Sequence, residues 1–327
     1  MKINIFADLM DGPWGGGNQF IKGLRGEFIE LGCYEPDPQK ADVILLNSHN
    51  RLIKAAELKY RLPNKHFAHR LDGPIHLGRK YGLELDKYIF LHNEVISNGT
   101  FFQSPFSRQE CLLAGMKTPA IEATIINGVD PKIFYPPQAK KRFGKKVKLI
   151  AASWSSNFKK GFRILQYLDK NLDFSRYEMT FVGNSPVEFE NICYLHPVPS
   201  RELADMHRQY DIFIAASEVD PCSNALVEAL SCGLPAVAKN SGGHPYIIGK
   251  AGELFENEND VLNVIDKVAS NLIYYKEKIT TVTLNQVAQK YIDIFEMILQ
   301  SEPKTISLPS LSYLTLKGWF LKFRRIL

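Results

Sequence analysis

Short apolar runs alternate with longer amphipathic segments along this chain, and the alternation runs through twice. KINIFADL (2–9), ADVILLNS (41–48) and GTFFQS (99–104) read as buried strands. KHFAHRLDG (65–73) and YIFLHN (88–93) read as further short strands or loops at strand ends, and SRQECLLAGM (107–116) as a helix. The first strand leads into GPWGGGNQF and then IKGLRGEFIELG, where Phe20, Ile21, Leu24, Phe28 and Leu31 fall at helical spacing and Gly32 supplies a stop. Strand, glycine loop and helix open a βαβ unit, and repeated βαβ units build a parallel sheet covered by helices. The rhythm lapses over 124–148, a stretch with three prolines, two glycines and a basic run, and an inter-domain linker is placed there. It then restarts: KLIAAS, YEMTFVGN, DIFIAAS and LPAVAKN as strands; KGFRILQYLDKNL, SRELADMHRQY and SNALVEALSCG as helices between them. The predicted fold is α/β, two Rossmann-like doubly wound domains facing a cleft. Residues 1–140 form the first domain and 141–283 the second. The amphipathic helix 284–300 is expected to pack back on the first domain, and 301–327 forms a basic, aromatic tail.

At 327 residues the chain suits two domains better than one. Its net charge of +5, from 40 basic and 35 acidic residues, is too mild to single out nucleic acid as a partner. Five cysteines, odd in number and without a C-x-x-C pair, argue against a disulfide framework or a zinc site and for a reducing, cytoplasmic setting. The opening apolar run is too short for a signal peptide, and no stretch nears the roughly 18 apolar residues that span a bilayer. The tail sets Trp319, Phe320 and Phe323 among Lys317, Lys322, Arg324 and Arg325. That is the composition of an interfacial segment, hence of peripheral contact at the inner face of a membrane; the other reading is a last helix docked on its domain.

Doubly wound sheets bind ligands at the carboxyl ends of their strands, and four stretches fall there. Gly15-Gly16-Gly17 precedes the first helix, where backbone N–H groups can approach an anion or merely make a tight turn; the spacing is not that of the dinucleotide fingerprint. Asn157-Phe158-Lys159-Lys160-Gly161 puts lysine near a helix start, which suits a bound phosphate or a solvated loop. Asp220-Pro221-Cys222-Ser223-Asn224 leads into a helix with Glu228 one turn inside, so that its carboxylates can accept from sugar hydroxyls or serve capping and the helix dipole alone. Ser241-Gly242-Gly243-His244 is a further glycine turn.

Taken together, GGGNQF, INGVDPKIF, NFKKGF and DPCSNALVEALSCGLPAVAKNSGG, in that order over about residues 1–300, resemble the retaining glycosyltransferases of the GT-B fold, family 4 type. The resemblance implies a nucleotide-sugar donor, a glycan or lipid-linked acceptor, bacterial surface polysaccharide synthesis, and no metal or other cofactor; no D-x-D motif suggests otherwise. It gives Glu228 the donor ribose, Asp220 the donor sugar, and Lys160 the diphosphate. Gly15 and Gly16 face the diphosphate, with Asn157, Ser223 and Asn224 completing the donor site. His69, Arg70 and Asp72, in HRLDGP, are acceptor-side candidates; Asp72 joins Lys160 and Asp220 as a catalytic candidate, although Arg70 and Asp72 share one face of an extended segment and could pair with each other. The usual account is front-face transfer with retention, the departing phosphate oxygen taking the acceptor's proton. Three positions depart from the family. Asp220 replaces glutamate, Trp154 and Ser155 stand where an arginine is usual, and Tyr246 stands where a glutamate often does. The missing arginine and the change at Asp220 motivate a rival expectation, a non-catalytic nucleotide-sugar-binding subunit of a glycan-assembly complex.

Overall fold

The structure is a computed structural model and describes residues 1–10, 15–79, 82–137, 145–324 and 326–327. Residues 12–14 of the glycine-bearing stretch and Arg325 of the tail thus lie outside the described residues. The strands are β1 Ile3–Ile5, β2 Val43–Asn47, β3 His66–Leu71, β4 Gly99–Phe102, β5 Glu122–Thr124, β6 Val147–Ser153, β7 Tyr177–Gly183, β8 Cys193–Leu195, β9 Ile212–Ala215, β10 Ala236–Lys239 and β11 Gly252–Phe255. The helices are α1 Gly16–Glu30, α2 Leu52–Arg61, α3 Gly82–Ile96, α4 Pro105–Leu113, α5 Phe162–Asn171, α6 Ser200–His207, α7 Asn224–Ser231, α8 His244–Ile248, α9 Val261–Ser270, α10 Leu272–Glu277, α11 Leu284–Leu299 and α12 Leu308–Phe323. The chain divides into two compact units. One comprises Met1–Leu9, Leu24–Ile126 and Asn285–Leu327; the other Met10–Gly23 and Asn127–Leu284.

The first unit is built on a parallel sheet of order β1-β2-β3-β4-β5. Val43, Ile44, Leu45 and Leu46 are buried in succession, as a parallel strand covered on both faces requires. Phe67 and Ile44 pack with Ala55 and Ala56 of α2 and Leu314 of α12; Leu71 and Phe102 pack with Tyr88 and Ile89 of α3 and Leu321 of α12. Helix α11 stacks Tyr291 on Phe101 of β4, ring centroids 4.2 Å apart, and brings Phe295 edge-on to the same ring at 5.4 Å. YIFLHN (88–93) is neither strand nor loop but the middle of α3. Leu85, Tyr88, Ile89, His92 and Ile96 recur at helical spacing, but Asp86, Phe90 and Asn93 are buried as well. A helix covered nearly all round loses its polar stripe, and a short window of it reads as an apolar run.

The second unit has a parallel sheet of order β11-β10-β9-β6-β7-β8. Leu149, Phe162, Leu165, Leu168, Phe181 and Ile214 form the centre of its core. The strand order reverses between β6 and β9: from β6 the chain proceeds to β7 on one side, then returns to place β9 on the other. In open α/β sheets such a reversal leaves a crevice beyond the strands' carboxyl ends, and there ligands bind.

Candidate functional site

The loops that follow β6, β9 and β10 carry three of the four stretches singled out in the sequence. Because these strands are neighbours in the sheet, their loops are neighbours beyond its carboxyl edge. The β6 loop ends in a 3-10 turn, Phe158–Lys160, whose N-cap Asn157 accepts the Lys159 N–H at 3.0 Å. Gly161 follows at φ 94°, and a Cβ there would lie 2.4 Å from the Ala216 carbonyl oxygen; only glycine lets the β6 and β9 loops come this close. Glu218 N–H then donates to the Lys159 carbonyl at 2.7 Å. The β10 loop is tied in the same way: Gly243 N–H donates to the Asp220 carbonyl at 2.8 Å, and Val219 N–H to Ser241 Oγ at 2.9 Å. Val219 itself sits at φ 50°, a left-handed conformation that is costly for a β-branched residue and is held only because its surroundings over-determine it. The strained residue directly precedes Asp220.

Lys160 Nζ donates to Asp220 Oδ2 at 2.7 Å. Burial disfavours the charged form of Asp220, but the Lys160 ammonium outweighs it and holds the carboxyl below its usual range. Asp220 Oδ1 accepts the Cys222 N–H at 3.2 Å. Behind the pair, His244 is fully buried, with Nδ1 on the Lys239 carbonyl at 3.0 Å and Nε2 on Ser217 Oγ at 3.1 Å; desolvation lowers its pKa. Ser223 occupies the N-cap of α7, as its sequence position suggests, but its side chain makes no capping bond. One turn in, Glu228 retains some exposed surface and has no hydrogen-bond partner among the described residues, and desolvation pushes its carboxyl up to about 8.

The glycine turn belongs to this unit. A Cβ on Gly16 would fall 2.4 Å from Asn224 Nδ2, and one on Gly15 would fall 3.2 Å from Trp154 Cδ1. Close approach to Asn224 thus requires glycine at position 16, while Gly15 is only tightly packed on the Trp154 ring. Asn224 Oδ1 in turn accepts from Asn127 Nδ2 at 2.8 Å. Asn127, buried within INGVD, was given no role by the sequence; its signal was that motif, quoted only for its position.

His69, Arg70 and Asp72 form their own cluster in the first unit, at the carboxyl end of β3. His69 is fully buried, with Nε2 on the Ser48 carbonyl at 2.7 Å, and burial lowers its pKa to about 4. Arg70 and Asp72 do pair, Nη1 to Oδ1 at 2.6 Å. Gln103 Nε2, from the end of β4, donates to the same Asp72 oxygen at 2.8 Å, and Asn47 Oδ1, closing β2, accepts from Arg70 Nη1 at 2.9 Å. Three neighbouring strand ends thus fix one carboxylate, on a side chain that remains 41% exposed. Gln103 and Asn47 were not legible beforehand, since nothing in a sequence says which strand end lies beside another. Among the described residues no three His, Cys, Asp or Glu side chains gather as a metal ligand set.

Within the second unit, residues 157–272 match the family described as glycosyl transferases group 1. This stretch is similar to a glycosyl transferases group 1 domain. It holds Asn157, Lys160, Asp220, Ser223, Asn224 and Glu228. An uncharacterised 41.2 kDa protein of a Klebsiella pneumoniae cps region is 29% identical over 129 residues, 36% of each chain. A probable sucrose-phosphate synthase of Thermosipho melanesiensis is 24% identical over 185 residues, 50% of this chain and 42% of that protein. The chain thus aligns with less than half the length of either relative. The solved structure of Anabaena HepE in complex with UDP-glucose superposes with a TM-score of 0.66 at 14% identity, covering 99% of this chain and all of that one. The fold around the group 1 domain is accordingly GT-B.

Proposed function

We propose that this protein is a retaining glycosyltransferase of family 4 type, transferring a hexosyl group from a nucleotide-sugar donor to a glycan or lipid-linked acceptor without a metal ion. The observation that carries the proposal is the Lys160–Asp220 pair, 2.7 Å apart at the reversal of strand order and inside the group 1 domain. A cation and a carboxylate held together, with the half-buried, unpartnered carboxyl of Glu228 one turn into the helix that follows, suit a ligand that is anionic in its middle and rich in hydroxyls at both ends. A nucleoside diphosphate sugar is such a ligand. Lys160 turns from Asp220 to the diphosphate, Asp220 is released to the sugar hydroxyls, and Glu228 accepts from the ribose. Gly15, Gly16 and the start of α7 at Ser223 and Asn224 offer backbone N–H groups to the phosphates, and Asn157 holds the lysine turn. UDP-sugars are the first donors to test, because the HepE structure contains UDP-glucose. The role assigned is bacterial surface polysaccharide synthesis, as the family resemblance of the sequence implies, and a cytoplasmic setting suits a nucleotide-sugar donor.

In the transfer the bond from the anomeric carbon to the diphosphate oxygen breaks and a bond to the acceptor oxygen forms on the same face. The acceptor's proton passes to the departing phosphate oxygen, and Lys160 and the helix start stabilise the charge that develops there. Asp72 accepts from a second hydroxyl of the acceptor and so positions it, while His69 and Arg70 fix the strand end that carries Asp72. The test is a thermal-shift panel of nucleoside diphosphates and their sugars, followed by donor-hydrolysis and transfer assays. A ligand at about 100 times its dissociation constant should stabilise the protein by about 2.7 kcal/mol. Lys160→Ala and Glu228→Ala should lose most of that shift and most of the turnover. Full transfer activity in Glu228→Ala, or no stabilisation by any nucleotide, would sink the proposal.

A further inference from the structure

We propose that the outward face of α12 seats this protein on an anionic phospholipid surface. The helix packs inward through Leu314, Gly318 and Leu321; a Cβ on Gly318 would lie 2.2 Å from Tyr88 Oη, and the Tyr88 hydroxyl donates to the Leu314 carbonyl at 3.0 Å. So closely docked a helix should show a polar face to water. Instead Tyr313, Leu316, Trp319, Phe320 and Phe323 are 56–89% exposed. At about 100° per residue these five fall within roughly 120° of one another, directly opposite the inward stripe. A helix apolar on both sides is complete only when its second side is also covered.

The charges say what covers it. Residues 308–327 contain no Asp or Glu. On a helical projection Lys317 and Arg324 border the aromatic stripe on one flank and Lys322 on the other. Each cation lies by an outward ring: Lys317 Nζ is 5.7 Å from the Tyr313 centroid, Lys322 Nζ 5.2 Å from that of Trp319, and Arg324 Cζ 5.6 Å from that of Phe320. Arg324 also pairs with Glu84 of α3 at 2.7 Å, which anchors the end of the helix. Tyrosine and tryptophan with flanking lysines match the boundary between headgroups and acyl chains, where rings enter a few ångströms and ammonium groups stay with anionic phosphate. A second copy of this chain fits less well. A two-fold contact would set the same basic rows against each other. The attachment is peripheral, since no helix among the described residues is long and apolar enough to cross a membrane.

This proposal does not depend on the donor chemistry, because vesicle binding needs no nucleotide. The experiment is flotation of the full chain with phosphatidylcholine vesicles, with and without phosphatidylglycerol. The expected result is partitioning onto the phosphatidylglycerol vesicles that weakens with added salt. Trp319→Ser/Phe320→Ser/Phe323→Ser should lower the partition coefficient by on the order of 100-fold. Lys317→Gln/Lys322→Gln should lower it by on the order of 10-fold, on anionic vesicles only. Circular dichroism and the thermal midpoint of each variant separate lost binding from lost folding, and the lysine pair, changed without touching the aromatic face, gives an independent reading. Wild-type flotation no better than that of the aromatic variant overturns the proposal. So does sedimentation showing a lipid-free dimer that the aromatic substitutions dissolve, which would make the face an interface between copies.

Discussion

Asp220 and Glu228 are carboxylates of one loop–helix unit, yet their surroundings push them in opposite directions. Both suffer desolvation. Asp220 has Lys160 against it and stays ionised; Glu228 has nothing and rises to about 8. The consequence has a definite sign. A carboxyl whose folded pKa lies above its unfolded value near 4.5 contributes stability below 4.5 that is lost as pH rises through about 8. The empty protein therefore holds a proton on Glu228 at neutral pH. A ligand donating hydroxyls to that carboxylate favours its charged form, so binding should release the proton. Nucleoside diphosphate affinity should rise with pH toward about 8, by up to about tenfold per pH unit, and Glu228→Gln should flatten the dependence. Titration calorimetry in buffers of differing ionisation enthalpy checks this. Equal pH slopes in the two proteins would show that the empty site leaves Glu228 ionised. Glu228 and Lys160 could be singled out as candidates in the sequence because they belong to one contiguous stretch of motifs. Gln103 on Asp72 could not, because its role exists only once β4 lies beside β3.

Periodicity revealed some of the elements with one wet face, while α2 and α9, wet on one face as well, went unread. α1 and α5 were legible through their periodicity, and β2 through its unbroken apolar run. α3 was misread because it is wrapped in core. The short strands β8 and β11 went unread. β8 is exposed at all three positions, and β11 is buried only at Phe255, so neither presents a period-2 face. α12 shows how contacts override local propensity. Glycine in a helix interior ordinarily costs about 0.5–1 kcal/mol relative to alanine. At Gly318, however, an added methyl would lie 2.2 Å from Tyr88 Oη and 2.5 Å from Ile53 Cγ1. Overpacking typically costs about 1–3 kcal/mol, so the clash outweighs the propensity. Gly318→Ala should lower the urea midpoint, by the equivalent of about 1 kcal/mol. A raised midpoint would mean that α12 can slide off α2 and α3 at little cost.

At the scale of the whole molecule, burial of uncharged histidine sets the response to acid. His69 and His92 in the first unit and His207 in the second have no exposed surface, and desolvation lowers their pKa values to about 4, 4 and 3. The unfolded chain takes up these protons near pH 6.5 and the folded chain only near pH 3–4. Stability is therefore full above pH 6.5 and falls as pH drops through that window. Each pKa unit is worth about 1.4 kcal/mol, so the three rings together cost several kcal/mol, comparable with a protein's entire margin of about 5–15 kcal/mol. Glu228 runs the other way, gaining stability as pH falls from about 8 toward 4.5, and offsets about one histidine. His207 is the most telling of the three. Neither of its ring nitrogens has a partner, and its ring stands edge-on to Phe213 at 5.6 Å. His207→Leu removes two unpaired buried polar atoms while roughly keeping volume, so it should raise the urea midpoint at neutral pH by the equivalent of about 1 kcal/mol. At about pH 5 the gain should be larger, by about 2 kcal/mol, because the variant no longer carries a group that only the unfolded chain protonates. Urea unfolding of both proteins across the pH range tests this. If the two midpoints keep a constant separation, the acid sensitivity of the second unit lies elsewhere than in His207.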